Sequence, residues 1–275
     1  MGPLSQESKP INNTWWRRSL TIAAIKLCKR WRPNDGSVIF LPKNICVKYT
    51  YFTHLSEAAT MQFISRNTSI PVPKVYCAFT RKEQSYIVME KVNGEMLGQG
   101  WLSRTKESRE YILNQLRDMI EEMRRIPPPN NDRVANVDGG TLYDCRLPGA
   151  PNTRRRFGPF THLSDFHRFL RRGTEAHPDQ YPEVKELITM HKGTWPLCFT
   201  HADLSSLNIL VHGDDVVGII DWETAGWYPS YWEYTTAWNV NPQNEFWQKE
   251  VDGFLEPRPT ELAMERVRMR YFGDV

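Results

Sequence analysis

Several features that define common classes of protein are missing from this sequence. None of its apolar runs approaches the roughly 20 residues that a helix needs to cross a bilayer. Its first ten residues, MGPLSQESKP, are polar and lack the apolar core of a signal peptide. Gln6 stands where N-myristoylation requires Ser or Thr, and Pro3 follows Gly2. We therefore expect a cytoplasmic protein with no stable membrane insertion.

Cysteine pairs and a strong net charge are also missing. The five cysteines are odd in number and form no C-x-x-C pair, which argues against a disulfide framework or a zinc site and favours a reducing compartment. With 35 basic and 32 acidic residues, the net charge of +3 is too small to predict nucleic-acid binding. Hydrophobic residues make up 40% of the chain, which is typical of a globular protein.

The most informative stretch is FTHADLSSLNILVHGDDVVGIIDWETAG, residues 199–226. Two runs rich in branched aliphatic residues, Leu207 to Val211 and Val216 to Ile220, flank the polar residues from His212 to Asp215. Short apolar runs around such a polar turn predict a β-hairpin.

The register of this hairpin decides which polar side chains meet. If Val211 pairs with Val216, Asn208 faces Ile219, and Asp221 is a diagonal neighbour of Asn208 on the same face, roughly 7 Å away. An amide oxygen and a carboxylate at that spacing can bind one cation. A shift by one residue would place them on opposite faces, so the site depends on the turn.

These residues carry a resemblance to a known family. The sequence HADLSSLNIL from His201 to Leu210, followed by IDWE from Ile220 to Glu223, resembles the catalytic loop and metal-binding segment of the aminoglycoside phosphotransferase family, which is related to the protein kinases. The family more often has Gly where this chain has Ala202.

The resemblance implies a fold and a set of roles. The expected fold is α+β and bilobal, like that of the protein kinases, with a small β-sheet N-lobe carrying one helix and a larger, mainly helical C-lobe. Asp203 would be the catalytic residue that accepts a proton from the acceptor hydroxyl. Asn208 and Asp221 would hold Mg²⁺, which prefers a few protein oxygen ligands together with phosphates.

A second segment resembles the nucleotide site of the kinases. The residues ICVK, 45–48, are similar to the kinase V-A-I-K segment, and strand alternation puts Cys46 and Lys48 on one face. The resemblance implies that Cys46 covers the adenine while Lys48 reaches the phosphates. Glu57, the one acidic residue of the helix predicted near residues 54–66, would form an ion pair with Lys48.

The segment from Met89 to Glu95 resembles the hinge between the kinase lobes, where backbone groups near Glu90 and Val92 would bind the edge of the adenine. One expected part is missing, because no G-x-G-x-x-G precedes Lys48 and only Gly36 lies nearby. How the phosphates are covered is left open.

The chain is expected to divide into a disordered tail (1–13), an N-lobe (14–90), a hinge (91–95) and a C-lobe (96–275). Apolar spacing predicts a helix over 15–31, whose stripe of Trp16, Leu20, Ala23, Leu27 and Trp31 would pack on the N-lobe. Gly, Pro and Asn are frequent between 130 and 160, which predicts a long functional or mobile loop. The tryptophans near the C-terminal end are expected to pack the C-lobe.

The predicted function is transfer of the γ-phosphate of ATP, with GTP as an open alternative, to a hydroxyl of a small molecule. The acceptor would be recognised by residues 96–180, and antibiotic, choline-like amine, sugar and secondary metabolite all stay open. Within this region, residues 154–156 are three arginines that could meet an anionic group.

Two other classes of protein compete with this interpretation. The missing glycine-rich loop favours a nucleotide-binding pseudokinase that acts as an interaction scaffold. The basic helix 15–31 would suit a peripheral membrane protein. Neither explains why the lysine, the glutamate and the three catalytic-segment residues are all present.

Overall fold

The computed structural model describes residues 8–31, 38–147, 155–239 and 245–273. These residues form the predicted α+β fold, with a small antiparallel sheet first and a larger, mainly helical part after it. The helices are α1 (Trp15–Trp31), α2 (Leu55–Asn67), α3 (Lys106–Arg124), α4 (Leu163–Leu170), α5 (Pro182–Met190), α6 (Trp232–Trp238), α7 (Glu245–Gln248) and α8 (Pro259–Phe272). The strands are β1 (Val38–Leu41), β2 (Ile45–Lys48), β3 (Val75–Arg81), β4 (Gln84–Glu90), β5 (Glu95–Met96), β6 (Leu142–Tyr143), β7 (Arg156–Phe157), β8 (Leu197–Thr200), β9 (Ile209–His212), β10 (Asp215–Ile219) and β11 (Gly226–Pro229).

The first sheet places the predicted lysine in its interior. Its four strands lie in the order β1-β2-β4-β3, all antiparallel, so β2 is paired on both sides. Lys48, the last residue of β2, lies opposite Ile87 of β4. One face of the sheet packs on α2, and the other on α1 through residues such as Val47 and Ile25. Lys48 is therefore held between two strands and under a helix.

Helix α1 presents a different face to the sheet from the one predicted. Thr21 and Ile25 are buried, whereas Trp16, Leu20 and Leu27 of the predicted stripe are 45%, 62% and 62% exposed. The prediction was wrong because α1 has apolar residues on two faces, and periodicity alone does not choose between them. The helix has no acidic residue, so its exposed apolar stripe is flanked by basic side chains.

The N-terminal segment before α1 is part of the sheet. The backbone groups of Ile11 and Ala78 exchange two hydrogen bonds of 2.9 Å, which adds residue 11 to the edge formed by β3. Arg17 donates a 3.1 Å hydrogen bond to the carbonyl of Tyr76 nearby. The predicted disordered tail is therefore wrong for residues 8–13, and residues 1–7 lie outside the described part of the chain.

The predicted hinge packs directly on the predicted hairpin. At the last residue of the hinge the chain enters β5, which joins β9 and β10 in a three-stranded sheet with Glu95 opposite Val211. A Cβ added at Gly94 would lie 2.8 Å from the Val217 side chain, and one added at Gly218 would lie 3.0 Å from Val92. Glycine at these positions allows a close approach. The lobe boundaries themselves stay a prediction.

The hairpin of β9 and β10 has the predicted turn but not the predicted register throughout. Val216 pairs with Val211, but a bulge after Val216 shifts the pairing, so that Ile219 lies opposite Ile209. The predicted pairing of Asn208 with Ile219 is therefore wrong, and Asn208 instead accepts a 2.9 Å hydrogen bond from the backbone N–H of Ile220. A bulge adds one residue to one strand, which strict alternation cannot show.

The second part of the chain is built around helix α3 and two short ladders. Strand β8, which leads into the predicted catalytic loop, pairs with β11, and β6 pairs with β7. The β6–β7 ladder lies within the 130–160 segment that was predicted to be a loop, so that prediction is wrong over these strands. Four C-lobe tryptophans are at most 3% exposed, which confirms the predicted packing role: Trp222, Trp227, Trp232 and Trp247.

Among the helices of the described residues, none combines the length and the apolar character needed to span a bilayer.

Two stacked histidines lie in the helical part. The rings of His167 and His191 are 4.4 Å apart, and both residues are buried. Burial lowers the pKa of His167 to about 4 and that of His191 to about 2, because a charged ring would lose its hydration.

These histidines predict that stability falls with acidification. An unfolded histidine titrates near pH ~6.5, so below that pH the unfolded state binds more protons than the folded state. The free energy of unfolding should be highest above about pH 6.5 and should fall towards pH 4, by up to roughly 1.4 kcal/mol per pH unit for each histidine. Urea unfolding at pH 7 and pH 5 measures the loss. His191→Phe should reduce it, and an unchanged loss in that variant would contradict the assignment.

Candidate active site

One ammonium group lies at the centre of the candidate site. Lys48 Nζ lies 3.0 Å from Glu57 Oε1, 2.6 Å from Asp221 Oδ1 and 3.0 Å from Glu223 Oε2. The four residues come from β2, the first turn of α2 and the segment after β10. The ion pair expected between Lys48 and Glu57 is present, and Asp221 joins it.

Burial and charge act in opposite directions in this cluster. Burial alone lowers the pKa of Lys48, but the three carboxylates reverse this and hold it well above its usual value. Burial raises the pKa of Glu57, which is 1% exposed, while Lys48 counteracts the rise. Glu57 Oε2 is buried with no hydrogen-bond partner among the described residues. The cluster has more acid than base and is therefore suited to a further cation.

Asp203 and Asn208 are in direct contact. The amide nitrogen of Asn208 donates hydrogen bonds of 2.9 Å to Asp203 Oδ2 and 2.8 Å to the Asp203 carbonyl. In this orientation the amide oxygen is the atom of the Asn208 side chain that could bind a metal ion. Burial raises the pKa of Asp203 to about 6, although Arg146 acts in the opposite direction. A carboxylate with a pKa near neutrality is suited to receive a proton.

The loop that carries Asp203 is fixed by a buried glutamate. The two carboxylate oxygens of Glu233 accept hydrogen bonds of 2.7 Å and 3.0 Å from the backbone N–H groups of His201 and Ala202. Ala202 has a φ of 64°, in the left-handed region that favours glycine. That backbone explains why the resembling family more often has Gly here, and Glu233 helps to hold it in this chain.

His201 supports the same loop. Its Nδ1 accepts a 3.2 Å hydrogen bond from the backbone N–H of Asp203, so its Nε2 carries the hydrogen that is donated over 3.0 Å to the carbonyl of Ile220. Burial lowers the pKa of His201 and keeps the ring neutral. The ring thus ties the catalytic loop to the residue before Asp221.

The oxygen atoms available in the site fit Mg²⁺. Ligand oxygens of Glu57, Asp221 and Glu223 lie within 4.8 Å of one another. Asp221 has a φ of 65°, which Asp tolerates better than most residues and which turns the chain at the end of β10. Carboxylate and amide oxygens are ligands that hard divalent cations prefer. Glu223, to which the sequence assigned no role, is a further candidate ligand.

The residues predicted to bind adenine lie together near the end of β4. Cys46 is buried, and its Sγ lies 3.5 Å from the carbonyl of Glu90. Burial raises the pKa of Cys46 to about 11, which keeps the thiol neutral. The backbone N–H of Glu90 donates to the carbonyl of Lys74, so only the Glu90 carbonyl has capacity for another partner. The adenine contacts of Cys46, Glu90 and Val92 stay a prediction.

The arginine near Asp203 is not one of those singled out in the sequence. Arg156 donates to Thr141 and lies 3.3 Å from Ser56 of α2, so it joins the loop to the N-lobe. Arg154 lies outside the described residues. Arg146 instead lies beside Asp203, with 3.8 Å between Nη1 and Oδ1. No role is predicted for Arg146 or Glu233 from the sequence, because both are distant from Asp203 along the chain and contact its loop only through tertiary structure.

With this geometry established, comparison with known proteins identifies the family. The model of the phosphotransferase enzyme family (APH) matches residues 53–266. This chain belongs to that family. The match contains the catalytic-loop residues, Asp221 and Glu57, and begins after Lys48.

Solved structures show the same fold at low sequence identity. A thermostable mutant of the aminoglycoside phosphotransferase APH(4)-Ia, in a ternary complex with ADP and hygromycin B, has a TM-score of 0.58 and 13% identity, covering 90% of this chain and 88% of that chain. The gentamicin complex of APH(2″)-IIa has a TM-score of 0.52 and 12% identity, covering 94% and 87%. The bilobal kinase-like fold is thereby confirmed.

A curated relative matches only a short segment. A subtelomeric hrmA-associated cluster protein of Aspergillus fumigatus is 38% identical over 73 residues, which is 25% of this chain and 14% of that relative's length.

Another cleft lies away from this site. It has a volume of about 1080 Å³ and is lined by residues of α3, the segment leading into β8 and the segment before α8. None of the lining residues belongs to the Lys48 cluster or to the catalytic loop. Two of its four arginines pair with glutamates, as in the contact between Arg125 and Glu121. We therefore assign it no part in the chemistry.

The Lys48 cluster predicts a strong energetic coupling. Lys48→Met would leave Glu57 buried without its cation, and we expect a loss of about 3–5 kcal/mol in the free energy of unfolding. Adding Glu57→Gln should recover part of that loss, because the stranded charge is removed. Urea unfolding of both single variants and the double variant measures the coupling, with the exposed Lys74→Met as control. Strictly additive effects would show that the pair is not coupled.

Glu233 offers a separate test of the catalytic loop. In Glu233→Gln one of the two backbone N–H groups would face an amide donor, and we expect a loss of about 1.5–3 kcal/mol in the free energy of unfolding. Chemical denaturation measures it. Glu186→Gln, at an exposed position of α5, is the matched control. Equal stability of the two variants would argue against a stabilising role for the hydrogen bonds from His201 and Ala202 to Glu233.

Proposed function

We propose that this phosphotransferase transfers the γ-phosphoryl group of ATP to a hydroxyl of a small molecule, with Mg²⁺ bound in the site. The observation that carries the proposal is the contact of Lys48 with Glu57 and Asp221, in the same site as the Asp203–Asn208 pair. GTP is an alternative donor. The proposed location is the cytoplasm.

In this proposal Asp203 binds the acceptor. Its carboxylate would accept a hydrogen bond from the acceptor hydroxyl, orient the hydroxyl oxygen towards the phosphorus and take the proton as the new bond forms. Glu233 accepts a hydrogen bond from the backbone N–H of His201, and the His201 ring accepts one from the backbone N–H of Asp203. These two contacts support a fixed position for the Asp203 carboxylate.

The other residues of the site would neutralise the negative charge of the phosphates, directly or through Mg²⁺. Asn208 and Asp221, with Glu223 beside them, would hold Mg²⁺, which neutralises phosphate charge and orients the phosphates when it is bound. All three hydrogens of the Lys48 ammonium have carboxylate partners. A phosphate that reached Lys48 would therefore replace one of them, and Asp221 or Glu223 would then be available to hold Mg²⁺. Glu57 would stay paired and keep Lys48 in place.

The adenine would lie at the hinge. Cys46 would cover the base, and the carbonyl of Glu90 and the backbone of Val92 would bind its edge. The buried, neutral thiol of Cys46 supports an apolar contact of this kind.

The family and the solved structures of similar fold support a small-molecule acceptor. Structures of similar fold include an enzyme bound to gentamicin and a choline kinase from Streptococcus pneumoniae, the latter with a TM-score of 0.50 at 11% identity, covering 90% of this chain and 86% of that one. A small alcohol acceptor fits such a fold better than a protein substrate. The missing glycine-rich loop favours the pseudokinase alternative, but all five expected polar residues are present, which supports the active kinase more.

Nucleotide binding gives the first test. A thermal-shift series with ATP or GTP, with and without Mg²⁺, should show stabilisation of about 2.7 kcal/mol at about 100 times the dissociation constant, which is a shift of several degrees. Asp221→Asn should lose most of the Mg²⁺-dependent part. Asp215→Asn, an exposed acid of the same hairpin, should behave like the parent. A parent protein that shows no nucleotide-dependent shift would refute the proposal.

A turnover assay tests the catalytic residue. Screening of small alcohols for Mg²⁺-dependent nucleotide consumption should identify an acceptor, and Asp203→Asn should then turn over at least roughly a hundredfold more slowly. Nucleotide binding should be retained in this variant. Turnover equal to that of the parent would exclude Asp203 as the proton acceptor.

A further inference from the structure

Arg146 is anchored beside Asp203 with one nitrogen unused. Its Nε and Nη2 each donate a 2.8 Å hydrogen bond to the carboxylate of Asp144, and Nη2 also donates to the carbonyl of Ala202. Nη1 is buried and makes no hydrogen bond to any described residue. It lies 3.8 Å from Asp203 Oδ1, which is too long for a hydrogen bond.

An unused buried donor on a charged group needs an explanation. Buried polar atoms nearly always have a partner, and an unfilled charged donor is costly. The guanidinium cannot give up its proton, because Asp144 and Asp203 hold its pKa above an already high value. The contacts to Asp144 and Ala202 already fix the side chain, so bracing the loop does not require Nη1. The direction of Nη1, towards the side of Asp203 that is not bonded to Asn208, indicates where a ligand would lie.

We propose that Arg146 Nη1 donates a hydrogen bond to the phosphoryl group while it passes from the nucleotide to the acceptor. This inference rests on the proposed function. In an in-line transfer the phosphorus must lie next to the hydroxyl that Asp203 holds, and the negative charge on its oxygens seeks a fixed cation. Arg146 would supply a positive charge on the acceptor side of the phosphoryl group, whereas Lys48 would supply one on the nucleotide side.

The step is balanced without Arg146 changing its protonation. The acceptor oxygen forms a bond to the phosphorus, the bond from the phosphorus to the oxygen of the departing nucleoside diphosphate breaks, and the hydroxyl proton passes to Asp203. Arg146 keeps all its protons and stabilises charge on the phosphoryl oxygens. A planar, anchored guanidinium suits this task because its donors are already oriented.

Two described arginines of the same 130–160 segment, Arg133 and Arg156, have different partners. Arg156 donates to Thr141 and lies near Ser56, away from the catalytic carboxylate. Arg133 donates to the carbonyl of Gly139 within its own turn. Arg133 therefore provides a matched control, with the same charge change on the same segment.

The test uses a phosphoryl mimic, so it does not depend on knowing the acceptor. Binding of MgADP to the full chain is measured by calorimetry with and without aluminium fluoride, which imitates the transferring group. The parent should bind MgADP more tightly when the fluoride is present. Arg146→Gln should lose about tenfold to a hundredfold of that gain and keep its affinity for MgADP alone. Arg133→Gln should match the parent.

The stability of the variants is controlled separately. Arg146→Gln leaves the buried Asp144 without its partner, so the double variant Arg146→Gln/Asp144→Asn is measured beside it, and it should lose the fluoride-dependent gain as well. If the double variant keeps the full gain, or if the parent binds MgADP but shows no gain, the role of Arg146 is refuted while the nucleotide site stands. A parent that does not bind MgADP refutes the proposed function itself.

Discussion

The structure depends on one lysine that is bound by three carboxylates. Lys48 lies at the end of a strand of the first sheet, Glu57 at the start of the helix above it, and Asp221 and Glu223 after the hairpin of the second lobe. A single ammonium group therefore sets the position of both lobes at the cleft. Since charges are costly to bury alone, each of these groups holds the others in place. Strand β2, helix α2 and the segment after β10 place these four side chains in contact with one another.

The catalytic loop depends on a second buried charge of the same kind. Glu233 binds two consecutive backbone N–H groups, and one of them belongs to Ala202 in the left-handed conformation. The loop that carries Asp203 lies between β8 and β9 and has no regular ladder of its own. A glutamate from the following helix supplies the missing backbone partners, in the way that a capping residue does at a helix end.

Local features of this site could be predicted from the sequence, and long-range ones could not. The turn of the hairpin and the contact of Lys48 with Glu57 follow from short spacings and from the family resemblance. The bulge after Val216 and the buried face of α1 depend on what the strand and the helix pack against. Arg146 lies beside Asp203 although 57 positions separate them in the sequence. Hydrophobic periodicity does not predict a contact over that separation. Periodicity in the sequence predicts which residues share one face of a helix or strand, but it does not predict which elements then pack against each other to form the site.

The close packing of the hinge on the hairpin restricts how the two lobes can move. A Cβ added at Gly94 would require the Val217 side chain to shift, one added at Gly218 would be tight against Val92, and β5 pairs with the hairpin. The linker is thus paired with, and closely packed on, the hairpin that precedes Asp221. Widening of the cleft to admit a nucleotide would have to swing the first sheet about this linker and hairpin, which would strain the contacts of Lys48 with Asp221 and Glu223. Entry of the nucleotide would then require these ion pairs to break, rather than a gradual bending of the linker.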